Sequence, residues 1–136
     1  METKALNYLS LARKGGMAEL GEEPVGAVSR TGKAYVVLVA SDSSDHTWRR
    51  AKSFVAGTDQ QCIRLDVTKD EMGFAIGRTS LAIAAITDVQ LALALVKSLT
   101  RPESQALEVL SAKAEKAKKR RSEAKAHQRN LRKGKK

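Results

Sequence analysis

The side chains that most readily do chemistry are few in this chain. Two histidines, His46 and His127, and one cysteine, Cys62, stand among 136 residues. His46 lies in a polar run with Asp42 and Asp45, and His127 lies among cations. Neither has Cys, Asp or Glu at a repeated ligand spacing, so no metal site is expected. Asp42, Asp45 and His46 read instead as local capping groups. Gly15-Gly16 and Gly73-Phe74-Ala75-Ile76-Gly77-Arg78 match neither G-x-x-x-x-G-K-[ST] nor G-x-G-x-x-G, so no phosphate loop is expected. No serine stands in a motif that assigns it a base. The residues predict no catalytic group, no cofactor and no enzyme.

What the chain has in quantity is positive charge. Twenty-five Lys and Arg against fifteen Asp and Glu give a net of +10. Residues 101–136 hold 13 of the cations and 4 of the anions, a net of +9, which leaves +1 for residues 1–100. A near-neutral domain with a cationic tail predicts a polyanionic partner, bound with an affinity that falls steeply as salt rises. The densest block is Lys118-Lys119-Arg120-Arg121. A single cysteine excludes an internal disulfide and suits a reducing cytosol, so a cytoplasmic location is expected. Cys62, between Gln61 and Ile63, reads as a buried, inert thiol. The longest apolar stretch, Leu81–Ile86, is far below the roughly 20 residues of a membrane helix. The N-terminus also lacks a basic-then-apolar leader, so no membrane partner is expected.

The elements that must position these groups can be read from periodicity. Between Gly32 and Asp42 runs Lys33-Ala34-Tyr35-Val36-Val37-Leu38-Val39-Ala40, apolar without alternation. That predicts a strand covered on both faces. Residues 4–14 predict a first helix with Ala5, Leu6, Leu9 and Ala12 in its stripe, stopped by Gly15-Gly16. Met17–Leu20 is a short strand or a connector. A second helix opens at Gly21-Glu22-Glu23-Pro24, where Pro24 suits a first turn and the carboxylates suit the helix dipole. Trp48, Ala51 and Val55 mark a third helix, and Gln61–Leu65 a strand. Thr68-x-x-Glu71 is a capping box that starts a short fourth helix, with Gly73 and Gly77 read as turn residues flanking it. Leu81–Ile86 is a second fully buried strand, and Val89, Ala92, Leu93, Val96 and Leu99 form the stripe of a fifth helix.

This alternation predicts an α/β fold with helices on both faces of a sheet. From Arg101-Pro102 the pattern changes. Leu107, Leu110, Ala114 and Ala117 make a weak stripe, and past Lys116 too few apolar groups remain to offset ordering entropy. The expected division is a domain over residues 1–100 and a Lys/Arg-rich tail over 101–136, partly helical or disordered, none of it layered on the central strand.

Five segments follow one another in an order and spacing that carry a resemblance. They are Leu11-Ala12-Arg13-Lys14, Gly21-Glu22-Glu23, Gly32-Lys33-Ala34 through Ser41-Asp42, Met72-Gly73 with Ile76-Gly77-Arg78, and Ala84-Ala85-Ile86-Thr87-Asp88. Over about residues 4–100 the chain resembles the ribosomal protein L-seven-Ae family, and looks closest to its small bacterial members, which are similar to kink-turn RNA binders. The resemblance implies a three-layer α/β/α sandwich around a four-stranded mixed sheet. It also implies RNA contacts from two places: the Gly-led start of the second helix, with Gly21, Glu22 and Glu23, and the loop of Arg78, Thr79 and Ser80. Arg30 and Lys33 belong to the same surface if they share the Arg78 end of the sheet. Kink-turn binders tend to carry Gly-x-Asn-Glu and a Lys three residues on, where this chain has Glu23, Pro24 and Ala27. Carboxylates there repel phosphate, and Pro24 removes a donor.

The expected protein is a monomeric, non-enzymatic RNA binder, associated with ribosomal or other structured RNA and with the ribosome. Its loop end supplies shape-dependent contacts, while Lys118, Lys119, Arg120 and Arg121 supply phosphate contacts. Two alternatives stand beside it. One is a protein-interaction module that docks through the acidic second helix and is steered to ribosome or nucleoid by its tail. The other is a substrate-binding partner of a separate RNA-modifying enzyme.

Overall fold

Strand β2, Val36–Ala40, is buried at every position. Successive side chains on a strand point to opposite faces, and here both faces are covered. Val36, Leu38 and Ala40 join a core with Leu9, Met72 and Leu95. Val37 and Val39 join a second core with Val25 and Ala51. The computed structural model describes residues 2–134, and side chains as far as Ala126.

Around β2 lie β1 (Ala18–Leu20), β3 (Gln61–Leu65) and β4 (Ile83–Ile86), in the order β1-β4-β2-β3. β2 and β3 are parallel and are joined through helix α3, Asp45–Val55, as a parallel pair requires. β4 is antiparallel to β1 and to β2. Helices α1 (Thr3–Lys14), α4 (Lys69–Ala75) and α5 (Val89–Lys97) cover one face, and α2 (Glu22–Arg30) and α3 cover the other. The molecule is a three-layer α/β/α sandwich around a four-stranded mixed sheet. Met17–Leu20, ambiguous as sequence, yields a strand because Ala18–Leu20 pair with Ile86–Ala84.

Local chemistry starts the helices where the sequence predicts. Thr68 Oγ1 accepts from the Glu71 N–H at 3.1 Å, and Glu71 Oε1 accepts from the Thr68 N–H at 2.9 Å, so the capping box is formed. Ser44 Oγ accepts from the Thr47 N–H at 3.1 Å and caps α3. Asp42 Oδ1 accepts from the Lys69 N–H at 2.8 Å, a cap supplied across the fold. Cys62 faces the second core, and burial pushes its thiol up to about 12.

The tail requires a correction. Ser104–Gly134 is one continuous helix, α6, and its first turns belong to the core. Ala106, Leu110 and Ala114 are buried with α5, with Leu107 and Ala117 packed at the edge. The layering therefore continues past residue 100, because the weak stripe meets an apolar face already presented by α5. The turn into α6 is pinned by the Glu2 carboxylate, which accepts from the Thr100 N–H at 3.1 Å. Gln90 Nε2 donates to the Ala114 carbonyl at 3.3 Å, and Lys113 Nζ donates to Asp59 Oδ1 at 2.8 Å. Past Ala117 every described side chain, Lys118 to Ala126, is exposed. Helix propensity explains the continuity: Ala, Lys, Arg and Glu are strong formers, and no Gly or Pro falls between Ser104 and Lys133. The anchored turns supply the nucleus that an isolated basic segment lacks. The side chains of His127, Arg129, Arg132 and Lys133, and all of Lys135 and Lys136, lie outside the described residues.

Two outcomes follow from this anchoring. Leu110→Ala deletes a fully buried side chain, so it should destabilise the protein by about 2–5 kcal/mol in urea denaturation; a loss below about 1 kcal/mol would place α6 outside the folding unit. The hydrogen bond from Lys113 holds the Asp59 carboxyl below its usual value. Its contribution to stability is therefore present above the ordinary aspartate pKa and is lost as pH falls through the depressed one. An NMR titration should place the Asp59 midpoint below about 3.9, the ordinary value, and Lys113→Ala should return it there.

Candidate nucleic-acid interface

The geometry of the candidate site comes from β4. Leu20 pairs with Ala84, and the Gly21 N–H donates to the Ile83 carbonyl at 3.0 Å. On the other side the Ala40 N–H donates to the Ala82 carbonyl at 2.9 Å. The chain therefore enters β4 at the end where β1 and β2 leave the sheet. The loop before β4, with Arg78, Thr79 and Ser80, lies at the same end as the start of α2, with Gly21, Glu22 and Glu23.

Three helices, α2, α3 and α4, follow strands that leave the sheet at this end, and they are finished differently. α3 and α4 have side-chain caps. α2 has none: its N-cap is Gly21 at φ 97°, a conformation that favours glycine. The Gly21 N–H is spent on β4, and Pro24 has no N–H. Glu22 and Glu23 therefore hold the free amides of the first turn, beside their own carboxylates. Glu22 also lies 3.6 Å from the Arg50 guanidinium, which sits 5.2 Å from the Phe54 ring centre. One of the two carboxylates is thus partly engaged within the domain.

The loop is held by backbone hydrogen bonds and by the buried Leu81 side chain that ends it. Gly77 has φ 75°, the Arg78 N–H donates to the Gly73 carbonyl at 2.8 Å, and the Leu81 N–H donates to the Lys69 carbonyl at 2.9 Å. Gly73 is buried inside α4, and a Cβ there would lie 2.5 Å from Ser80 Cα. This corrects the reading of Gly73 as a turn residue: its role is to let the loop close against the helix. Arg78, Thr79 and Ser80 are exposed. Their side chains make no hydrogen bond or ion pair with other described residues.

The remaining candidates lie elsewhere. Arg30 ends α2 and Lys33 precedes β2, at the far end of the sheet, so they do not share the Arg78 surface. The length of β2 alone separates the two ends by roughly 13 Å. Arg30 suits the negative end of the α2 dipole. Lys113 meets Asp59 and lies 5.3 Å from the Tyr35 ring, just ahead of β3 and β2. α6 thus crosses the far end there, and Lys118, Lys119, Arg120 and Arg121 continue past it into solvent. The twelve candidates form two groups at opposite ends.

Two features escaped the sequence reading. Phe74 is 87% exposed and lies in an open groove with Leu6, Asp70, Glu71, Arg78 and Thr79. Its position off the Met72–Ile76 stripe was the available signal. Trp48 has two cations near its ring, Lys52 Nζ at 5.4 Å and Arg64 Cζ at 5.3 Å from its centre. Among the described residues no group of His, Cys, Asp and Glu could hold a metal ion, and no helix is long and apolar enough to cross a membrane.

Fold and geometry together define an α/β/α sandwich with a helix start and a loop converging at one end and a basic helical arm leaving near the other. No protein-family model and no curated protein matches this chain. Among solved structures, it is similar to a protein of unknown function from Bacillus halodurans, at TM-score 0.67 and 21% identity over 72% of this chain and 98% of that one. It is also similar to the Giardia lamblia 15.5kD RNA binding protein, at TM-score 0.55 and 17% identity over 74% of this chain and 85% of that one. At these identities the similarity is one of fold.

The Gly73 contact is directly testable. Gly73→Ala forces a methyl group into the Ser80 backbone, so it should cost about 1–3 kcal/mol in denaturation and shift the amide resonances of residues 77–81. Unchanged stability and unchanged loop shifts would show that the close approach is not made.

Proposed function

We propose that this protein is a non-enzymatic RNA-binding protein of the L-seven-Ae kind, associated with ribosomal or other structured RNA. The observation that carries the reading is the convergence of the uncapped Gly21 helix start with the Arg78-Thr79-Ser80 loop. Both present donors without partners, on a fold similar to that of an RNA-binding protein. Backbone amides at a helix start suit a phosphate or a base edge. Loops of this kind read unstacked bases rather than a duplex groove. The basic arm supports the same reading from the other end. Lys118, Lys119, Arg120 and Arg121 are exposed, so their charge is available to a polyanion instead of being neutralised on the domain.

The two contributions separate by salt dependence. Deleting everything after residue 100 would remove Leu110 from the core, so side-chain replacement is the cleaner change. Replacing Lys118, Lys119, Arg120 and Arg121 with Ala should leave stability unchanged and lower the slope of log K against log salt by about 3 for a structured RNA. An unaltered slope would remove the arm from the binding surface.

A further inference from the structure

Phe74 has no structural task in this fold. Met72 and Ile76 of the same helix are buried, while the Phe74 ring is 87% exposed. The exposed ring leaves an aromatic face on which a flat ligand can stack. The groove around it has a volume of about 550 Å³. Asp70 and Phe74 stand four residues apart in α4, and are therefore neighbours on one helix face. The Phe74 carbonyl accepts from the Gly77 N–H at 3.3 Å, which folds the loop back beside the ring.

The polar groups in this groove divide by occupation. Glu71 is committed to the Thr68 N–H in the capping box. The Asp70 carboxylate, the Arg78 guanidinium and the Thr79 hydroxyl are exposed and make no hydrogen bond or ion pair among the described residues. What remains open is a bare aromatic face flanked by one acceptor and one cation.

We propose that the Phe74 groove holds one unpaired RNA base and that guanine is preferred. The inference rests on the RNA-binding reading above and names the subsite that discriminates. The ring stacks on the base, an interaction open to every base. Specificity comes from Asp70. Of the four RNA bases, only guanine places two adjacent donors, N1–H and N2–H, on its Watson–Crick edge, and a carboxylate accepts both. Arg78 pairs with the phosphate of the same nucleotide. The charges are complementary in this order: the anion meets the donor edge, and the cation meets the phosphate. An apolar protein side chain on Phe74 would satisfy neither Asp70 nor Arg78.

The test uses the full chain and fluorescence anisotropy at about 0.15 M salt, a physiological ionic strength. The probes are labelled octauridylate and the same octamer with one central guanosine. The guanosine octamer should bind about tenfold more tightly. Phe74→Ala should weaken both by about tenfold, and Phe74→Tyr should restore them. Asp70→Asn should abolish the guanosine preference without weakening octauridylate. Both positions are exposed, so thermal stability should not change and serves as the folding control. If the native protein binds RNA and Phe74→Ala binds it equally well, the groove is not a base site and the ring is left as a protein contact, with the broader reading intact. A native protein that binds neither octamer nor structured RNA would overturn both.

Discussion

Everything at the loop end depends on β4 lying between β1 and β2 and running against both. The same few backbone hydrogen bonds that close the sheet bring residues 77–82 beside Gly21, though more than fifty residues of chain separate them. The site is therefore assembled by the sheet, not by its own side chains. Small residues make this possible: Ala84 faces one core and Ala85 the other, so helices can close on both faces of β4. Exposed residues in the loop are then free to vary in chemistry without cost to the fold. Gly73 is different, because the loop's backbone rests on it.

Much of this architecture was legible as sequence, for identifiable reasons. The unbroken apolar run of Val36–Ala40 announced a strand sheathed on two faces, since it is short, rich in valine and entered from a glycine turn. Thr68 and Glu71 announced a helix start because both partners of the cap are local. The strand order was not legible from periodicity, because it depends on pairings across distant segments; the family resemblance implied a four-stranded mixed sheet but not its order. Gly73 was misread because its constraint comes from Ser80, a tertiary neighbour that no local pattern reveals. The separation of Arg30 from Arg78 was open to inspection: nine helical residues rise about 13 Å, so the two ends of α2 cannot serve one small surface.

The packing of the first turns of α6 was missed for a different reason. Composition counts apolar groups per length, and residues 118–136 have very few. A helix already nucleated by packed turns needs little more than favourable propensity to continue. Ala106, Leu110 and Ala114 supply those packed turns. Burial and charge are thus divided along a single helix, the first part belonging to the core and the second to solvent.

That division sets how an RNA would meet the protein under the reading proposed here. Residues 118–134 of α6 rise about 25 Å, and they leave from the end of the sheet opposite the Arg78 loop. Charges at the two ends are farther apart than a Debye length of about 8 Å at physiological salt. They therefore act on different stretches of a polyanion, and their contributions should add with little coupling. Under that reading the arm would raise encounter rate and affinity for any RNA. The carboxylates at the loop end, Glu22, Glu23 and Asp70, do the reverse: each discourages phosphate unless a base edge or free amide compensates. Under the same reading, an acidic end could discriminate because the attraction would be delegated to the arm, and discrimination is sharper where non-specific phosphate binding is weak.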